Sequence, residues 1–327
     1  MKVLVTGGAG YVGSHTVDSL IRQGHQVVIL DNFSTGHREL LHSQALLIAG
    51  DIRDHQLIAA TVKEHQIEGV IHFAAFTSVA ESVSNPAKYY DNNFQGTLGV
   101  LKGIENSNVR FLIFSSTAAV YADPQGSTVT EQSLKNPITA YGRSKLMSEQ
   151  AIQDICTASG VKFVILRYFN VAGASLSGRY GQIGDEHTVL IKRACLAAVK
   201  KLTHLSIFGV DYATKDGTAI RDFIHVEDLA DLHVLSLGYL LQGGKSEILN
   251  CGYGHGFTVR EVIETVQKVS GYKFPVKEEP RRPGDLAEVV ADSSKLKNLF
   301  HWQPKYPDLE LICRTAFDWE KSRCIHK

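Results

Sequence analysis

Tyr141 and Lys145 stand four residues apart, a spacing that places two helical side chains on the same face. The ammonium of Lys145 would then lie beside the phenol of Tyr141 and lower its pKa, whose ordinary value is about 10. Thr117, which follows Ser115 and Ser116 at a predicted strand end, could hold a substrate hydroxyl or relay its proton. We predict that Tyr141, assisted by Lys145 and Thr117, transfers a proton near neutral pH. A Tyr-x-x-x-Lys pair also arises by chance, and a strand-end threonine without a chemical role is the alternative for Thr117.

A glycine-rich segment follows the first predicted strand. Its spacing is Gly7-x-x-Gly10-x-x-Gly13, and a helix is predicted to start at Ser14. Glycines allow a tight turn and a close approach of a pyrophosphate to a helix N-terminus, where free amides and the helix dipole favour phosphate. The segment therefore predicts dinucleotide binding. A glycine-rich turn that only joins a strand to a helix is the alternative.

Asp31 ends the second predicted strand and indicates which dinucleotide is bound. A carboxylate at this position accepts hydrogen bonds from the adenosine ribose and repels a 2′-phosphate. Asp31 therefore favours NAD over NADP. A carboxylate that only caps the following loop, residues 32–36, is the alternative.

The strands and helices that hold these residues are predicted from short apolar runs that alternate with segments long enough for helices. Continuously apolar strands are typical of a parallel sheet covered on both faces. We predict an α/β fold: a doubly wound, Rossmann-like parallel sheet in residues 1–172, and a smaller mixed α/β substrate-binding domain mainly in 173–327. A helix is predicted from about Val189 to Lys200. The predicted strands are 2–6, 26–31, 45–49, 69–74, 110–115 and 161–167.

Composition favours a small-molecule enzyme. The 327 residues are 44% apolar, and 34 Lys and Arg balance 34 Asp and Glu, so neither nucleic acid nor a membrane is expected as a partner. The five cysteines are widely spaced and no metal site is predicted. The N-terminus has no signal-peptide pattern and no apolar run approaches a membrane span, which predicts a cytoplasmic protein.

Several longer motifs resemble the extended short-chain dehydrogenase/reductases, and within them the nucleotide-hexose 4-epimerases. The resemblance covers nearly the whole chain. It implies NAD-dependent interconversion of UDP-galactose and UDP-glucose through a 4-keto sugar, with UDP-N-acetylhexosamines as further substrates left open. The motifs are Thr6–His15, Gly50–Asp54, Val70–Ala75, Tyr89–Asn93, Tyr141–Lys145, Leu166–Asn170, Ile207–Tyr212, Asp216–Val226 and Arg281–Asp285.

The resemblance also implies roles residue by residue. It implies a homodimer, and a return of about residues 220–255 to the first domain, with Ile248–Asn250 as a further strand of its sheet. The implied NAD contacts, besides Gly7, Gly10, Gly13, Tyr141 and Lys145, are Tyr11, Val12, Asp31, Asn32, Phe33, Ser34, Thr35, Gly36, Asp51, Ile52, Phe73, Ala74, Ala75, Asn92 and Phe169. The implied UDP-sugar contacts are Thr117, Asn170, Phe208, Arg221, Arg282, Asp285 and Val289.

The charges of the implied substrate residues suit a nucleoside diphosphate. Arg221 and Arg282 offer forked guanidinium donors for its phosphates, and Asp285 can accept from ribose or uracil-side groups. The alternative is that Arg221 binds no substrate and only forms an ion pair with Asp222.

The sequence departs from the family pattern at three places. Thr77 stands where many relatives carry a lysine that reaches the cofactor, so weaker NAD retention is expected. The segment 181–191 is shorter than the corresponding segment of relatives. His187 and Thr188 stand nearest to the positions that usually contact uridine. Val289 stands where some relatives carry a bulky tyrosine, which predicts a pocket broad enough for N-acetylated sugars.

Two rival functions remain open. A 4,6-dehydratase needs an acid and a base after Thr117, where this sequence has Ala118 and Ala119. A non-catalytic sensor of the NAD redox state would keep the dinucleotide fold without needing Tyr141 and Lys145.

Overall fold

The computed structural model describes residues 1–121, 128–184, 189–282 and 285–325. The strands are β1 (Lys2–Thr6), β2 (Gln26–Asp31), β3 (Leu46–Ala49), β4 (Gly69–His72), β5 (Phe111–Thr117), β6 (Thr128–Val129), β7 (Lys162–Tyr168), β8 (Asn170–Ala172), β9 (Leu205–Phe208), β10 (Ile220–His225), β11 (Glu247–Cys251), β12 (Gly256–Thr258), β13 (Val276–Glu279) and β14 (Glu288–Ala291).

The helices are α1 (Tyr11–Arg22), α2 (His55–His65), α3 (Val79–Ser84), α4 (Pro86–Tyr89), α5 (Gly96–Ile104), α6 (Ala140–Ser159), α7 (Leu190–Ala198), α8 (Val226–Leu241), α9 (Val259–Ser270), α10 (Ser294–Phe300) and α11 (Leu309–Ile325). A π-helical turn covers Tyr90–Gln95, and 3-10 turns cover Arg38–Leu40 and Ala118–Val120.

A large sheet is the main feature of the first unit. In the described residues it has seven strands in the order β11-β7-β5-β4-β1-β2-β3. The strands from β7 to β3 pair in parallel, and the interior strands are almost completely buried, as their continuous apolar sequences predict. The predicted doubly wound α/β fold is confirmed, and β11 confirms the further strand implied for Ile248–Asn250.

Strand order reverses at β1. The chain proceeds outward from β1 to β2 and β3, then crosses back to β4 on the other side. In open α/β sheets, ligands bind outside the carboxyl ends of the strands at such a switch point. The segments after β1 and β4 therefore define the expected cofactor edge.

Some predicted boundaries differ from the structure. β4 ends at His72 because the amides of Phe73 and Ala74 both donate to the Thr6 carbonyl, at 3.0 and 3.1 Å. Helix α7 ends at Ala198, before the predicted Lys200, because Lys200 adopts a left-handed φ of 65° that a helix cannot continue.

The chain divides into two compact units. The first comprises the described residues within Met1–Ala122, Leu134–Tyr168 and Ala230–Leu249, and the second those within Asp123–Ser133, Phe169–Leu229 and Asn250–Lys327. In the described part of the second unit, one sheet has the order β12-β10-β14-β6 with β8 also beside β10, and β13 pairs with β9. β10 is antiparallel to β12 and parallel to β14, so the smaller sheet is mixed.

Candidate functional site

Helix α6 carries the predicted proton-transfer pair. The Thr139 hydroxyl accepts a hydrogen bond from the Gly142 amide at 3.2 Å, a cap that starts the helix just before Tyr141. Tyr141 and Lys145 are buried, with 9% and 3% of their surfaces exposed. Thr117 is hydrogen-bonded to Tyr141, and the Lys145 ammonium donates to the Ser115 carbonyl at 2.8 Å. The structure therefore brings Thr117, Tyr141 and Lys145 together at the carboxyl end of β5.

The pKa values of this pair differ from the sequence-based prediction. Burial raises the pKa of Tyr141, and the hydrogen bond with Thr117 lowers it in part. Burial lowers the pKa of Lys145 to about 7, against the opposing charge of Glu149. The predicted net lowering of the Tyr141 pKa is wrong for this structure, because loss of hydration disfavours the ionised phenol more than its neighbours favour it.

The glycine-rich turn lies between β1 and α1. A Cβ atom on Gly7, whose φ is +73°, would lie 2.6 Å from the Ala74 amide nitrogen, and one on Gly13 would lie 2.2 Å from the Gly7 carbonyl oxygen. Helix α1 begins at Tyr11, not at the predicted Ser14. A helix leaves its first amides without intrahelical partners, and no side chain caps α1 at Gly10. This side-chain-free helix start fits a pyrophosphate.

The carboxylate of Asp31 is held at the end of β2. Its Oδ2 accepts from the Ala9 amide at 3.0 Å and its Oδ1 from the Phe33 amide at 2.8 Å. Burial raises its pKa, and these two backbone hydrogen bonds partly oppose the rise. A Cβ atom on Gly36 would lie 2.7 Å from Oδ1, so the loop closes around the carboxylate. Each oxygen keeps acceptor capacity for a ribose hydroxyl, which fits NAD.

Other predicted cofactor residues also lie in the first unit. Asn32 donates to Asp51 at 3.0 Å, and hydrogen bonds from Arg53 hold the pKa of Asp51 well below its usual range. Ile52 is buried against helix α5, where a Cβ on Gly96 would meet its side chain at 2.3 Å. Ser34, Thr35 and Ala75 also belong to this unit, whereas Phe169 lies in the second.

Asn92 lies in the π-helical turn that precedes α5. Its amide donates to the Asn93 side-chain oxygen at 3.0 Å, and the residue is buried. Turns of this kind inside helices are frequent at functional sites. Thr77, which precedes α3, is exposed.

Three predicted substrate residues meet in the second unit. Arg221 of β10 donates from Nη2 to Oδ1 of Asp285 at 2.5 Å and from Nη1 to the Ile220 carbonyl at 2.8 Å. Val289 of β14 is the register partner of Arg221 and is half-buried. The structure therefore places Arg221, Asp285 and Val289 side by side.

Asp222 is not the partner of Arg221. Successive residues of a strand point to opposite faces, so the two side chains diverge. Asp222 is fully buried and accepts from the amides of Tyr253 and Gly254, each at 2.9 Å, and of Ala291 at 3.2 Å. The alternative ion pair is wrong.

The remaining substrate residues form two local contacts in the same unit. The Arg282 guanidinium carbon lies 3.8 Å from the centre of the Phe208 ring. Asn170 of β8 donates to the Asp222 carbonyl at 3.0 Å, which fixes it beside β10. The predicted positions His187 and Thr188, and Pro283 and Gly284 of the Arg281–Asp285 motif, lie outside the described residues.

Sequence reasoning missed a buried ionic cluster behind the proton-transfer pair. Glu149 of α6 is ion-paired with Arg167 of β7 and accepts from Ser116. The available signal was spacing, because Glu149 stands four residues after Lys145 and eight after Tyr141 on the same helix face.

Neither a metal centre nor a membrane-spanning helix occurs in the described residues. They contain no group of three His, Cys, Asp or Glu side chains that could hold a metal ion. None of their helices is both long and apolar enough to cross a membrane.

Comparisons with known proteins agree with the resemblance found in the sequence. A model of the NAD dependent epimerase/dehydratase family matches residues 3–252. The UDP-glucose 4-epimerase of Azospirillum brasilense is 46% identical over 321 residues, which are 98% of this chain and 92% of that protein.

Two solved structures are also similar. A crystal structure of UDP-glucose-4-epimerase from Stenotrophomonas maltophila, with bound NAD and formylated UDP-arabinopyranose, has a TM-score of 0.97 and 37% identity over 100% of both chains. The UDP-Glc/GlcNAc 4-epimerase from Campylobacter jejuni has a TM-score of 0.87 and 46% identity, and covers 98% of this chain and 99% of that one. The chain therefore belongs to the NAD dependent epimerase/dehydratase family.

Proposed function

We propose that this chain interconverts UDP-galactose and UDP-glucose by inverting the configuration at C4. The observation that carries the proposal is the buried grouping of Thr117, Tyr141 and Lys145 at the carboxyl end of β5. The name of the Azospirillum relative and the ligands of the Stenotrophomonas structure support a UDP-sugar as the substrate.

NAD is the cofactor. Bound NAD supplies a hydride acceptor for the first half of the reaction and a hydride donor for the second. In this chain the amides at the start of α1 would hold its pyrophosphate, and Asp31 would accept from its adenosine ribose. Gly7 and Gly13 allow the tight turn before α1, because a Cβ atom at either position would collide with the protein's own backbone.

Tyr141 moves the proton. As a phenolate it accepts the proton of the sugar 4-hydroxyl while C4 becomes a ketone, and it returns that proton once the other face of C4 has been reduced. Thr117, already bonded to Tyr141, holds the same hydroxyl. The positive charge of Lys145 favours the phenolate, and the low dielectric of a buried site strengthens that attraction.

The second unit binds the nucleotide. Arg221 and Arg282 bind the diphosphate with forked donors, and Asp285 orients Arg221 through their ion pair. Phe208 supports the Arg282 guanidinium by stacking, and Asn170 borders β10. With the diphosphate held, the 4-keto sugar turns over and presents its opposite face.

UDP-N-acetylhexosamines are a second substrate class. Val289 is half-buried opposite Arg221 and is smaller than the tyrosine expected in a restricted pocket. The Campylobacter structure at 46% identity is titled a UDP-Glc/GlcNAc 4-epimerase. The broad pocket is proposed on these two observations.

Two rivals have less support. The 3-10 turn after β5 carries Ala118 and Ala119 at the positions where a dehydratase needs its acid and base. A sensor of NAD would not need the buried Tyr141 and Lys145. Incubation of the purified protein with UDP-galactose and no added cofactor tests all three functions: UDP-glucose is expected, a 4-keto-6-deoxy sugar would indicate a dehydratase, and no turnover would favour the sensor.

We assign NAD binding to residues 1–172 together with a returning segment, and nucleotide-sugar binding mainly to 173–327. The return expected at about 220–255 is narrowed to Ala230–Leu249, because Arg221 and the rest of β10 lie in the second unit. The grouping of the glycine turn with Tyr141 in one unit, and of Arg221 with Asp285 in the other, supports this division. We further propose a cytoplasmic location and a homodimer, the latter because the family resemblance implies it, and light scattering of the purified protein measures its oligomeric state.

A further inference from the structure

A carboxylate with no exposed surface lies behind the proton-transfer pair. Glu149 of α6 is 0% exposed and stands one helical turn beyond Lys145 and two beyond Tyr141. Its Oε1 accepts from the Ser116 hydroxyl, and Ser116 directly precedes Thr117 on β5. Helix α6 is thereby tied to the strand end that carries the third member of the proposed catalytic group.

Arg167 of β7 is the ionic partner of this carboxylate. Its Nε donates to Oε1 of Glu149 at 2.9 Å and its Nη2 donates to Oε2 at 2.5 Å, so the contact is bidentate. Its Nη1 donates to the Tyr121 hydroxyl at 2.8 Å. Glu149 therefore joins α6 to two neighbouring strands, and Arg167 extends the cluster to the residue after the 3-10 turn.

The charges of the cluster balance only in the reactive state. Lys145 and Arg167 are cations and Glu149 is an anion, so the buried group has one excess positive charge while Tyr141 is neutral. Ionisation of Tyr141 brings two anions against two cations. Since an unpaired buried charge is costly, this composition favours the phenolate once Lys145 is protonated.

Glu149 has a direct electrostatic effect on Lys145. Burial lowers the pKa of Lys145 to about 7, and the charge of Glu149 raises it. Charged or titratable groups on the elements packed against α6, or on β4, do not replace this charge. The ion pairs Glu81–Lys88 and Arg53–Asp91 are partly exposed, and His72 is neutral because its pKa is about 3. The groups are His72 on β4, Lys162, Arg167 and Tyr168 on β7, Glu81 on α3, Lys88 and Tyr89 on α4, Tyr90 and Asp91 in the π-helical turn, and Lys102 on α5.

We propose that Glu149 is a positioning residue for the 4-epimerase reaction, which orients α6 through Ser116 and Arg167 and keeps the Lys145 ammonium charged beside Tyr141. The importance of Glu149 for catalysis rests on the proposed 4-epimerase function. The electrostatic relationship between Glu149 and Lys145 can be measured without any turnover.

The first test is Glu149→Gln in the full chain, assayed with UDP-galactose across pH. Without the negative charge Lys145 loses its proton at lower pH. Because the pKa of Lys145 lies below that of Tyr141, Lys145 sets the acid limb of kcat/KM, which should move down by about one pH unit. The KM for UDP-galactose should stay within about twofold, because Arg221 and Arg282 are untouched. An unmoved acid limb in a folded variant would overturn the role.

Two further variants separate positioning from folding. Glu149→Gln removes the negative charge that faces the Arg167 guanidinium. The double variant Glu149→Gln with Arg167→Met removes both charges of the buried pair and is made to restore the fold. The acid limb of the double variant should still be shifted to lower pH. Glu320→Gln is the matched control: Glu320 is a buried carboxylate, paired with Lys192 in the second unit, and its loss should lower Tm without moving the limb.

The decisive readout does not depend on activity. NMR of lysine-labelled protein follows the side-chain titration of Lys145, assigned by its loss in Lys145→Met. The titration should move to lower pH in Glu149→Gln and in the double variant, and stay in place in Glu320→Gln. If the parent protein turns over no UDP-galactose but the titration moves, the proposed function fails and the electrostatic relationship stands. If the titration does not move, the role of Glu149 is overturned whatever the activity.

Discussion

Arg221 and Asp285 are joined by an ion pair across 64 residues of sequence, with Nη2 of the arginine 2.5 Å from Oδ1 of the aspartate. Both side chains are more than half buried, so solvent screens the pair only partly. The second nitrogen, Nη1, donates to the Ile220 carbonyl. These two contacts fix the guanidinium plane in advance, which lowers the entropy cost of binding a diphosphate.

Removing Arg221 should weaken nucleotide binding more than it slows chemistry. Hydrogen bonds to charged groups contribute about 1.5–3 kcal/mol, so Arg221→Leu should weaken the affinity for UDP by about tenfold to a hundredfold. Isothermal titration with UDP measures it. Arg281→Leu is the matched control, because Arg281 is exposed and pairs with Asp211. Equal losses in the two variants would argue against a specific contact of Arg221 with the diphosphate.

Loss of Lys145 should raise the pH that activity requires. Its ammonium stabilises the Tyr141 phenolate, so Lys145→Met should move the acid limb of kcat/KM to higher pH by about one to two pH units. At pH 7 the rate should fall by about tenfold for each pH unit that the limb moves. Lys162→Met, at the exposed start of β7, serves as the control. An acid limb that stays in place in Lys145→Met would show that the charge of Lys145 does not set the proton transfer.

Val289 should set the breadth of the sugar pocket. The parent protein is expected to convert UDP-N-acetylgalactosamine, and Val289→Tyr should lower that turnover by at least about tenfold while UDP-galactose stays within about threefold. Steady-state rates on the two sugars measure the difference, with Val289→Ala as the control that keeps the pocket open. A parent protein inactive on the acetylated sugar would end the proposal of a broad pocket.

His72 should make the fold sensitive to acid. Burial, and then the charge of Lys145, lower its pKa in the folded protein to about 3, whereas an unfolded histidine takes up its proton near about 6.5. The unfolded state therefore binds more protons between these values, and the free energy of unfolding falls by about 1.4 kcal/mol per pH unit below about 6.5.

His72→Gln should remove this dependence, because an amide can still bond the two hydroxyls that flank the ring, those of Thr6 and Thr97. Between pH 7.5 and 5.5 the parent should lose about 1.4 kcal/mol more than the variant in urea unfolding. His55→Gln, at an exposed histidine, should behave like the parent. Equal pH dependence in His72→Gln and the parent would contradict the neutral buried state of His72.

Local physics made much of the first unit predictable. Strands such as β5 and β7 are continuously apolar because both faces are buried, and the glycines after β1 signal a turn without side chains. The start of α1 at Tyr11 was missed because Gly10 caps the helix by backbone geometry alone, which leaves no side-chain signal.

Long-range pairing explains what the sequence did not reveal. The mixed sheet of the second unit is built from short strands, such as β6 beside β14, whose pairing spans almost half the chain. The contact of Arg221 with Asp285 rather than Asp222, and that of Glu149 with Arg167, likewise depend on tertiary structure. The rise in the Tyr141 pKa was missed because the degree of burial is not visible in a four-residue spacing.

The most direct test of the proposed chemistry is the rate at which Tyr141→Phe converts UDP-galactose to UDP-glucose. Phenylalanine keeps the ring that packs edge-on against Tyr89, with centroids 6.4 Å apart, and removes only the hydroxyl. Proton transfer by a positioned side chain contributes about a hundredfold to ten-thousandfold, so kcat should fall by at least about a hundredfold while UDP still binds. A variant that converts UDP-galactose as fast as the parent would contradict proton transfer by Tyr141.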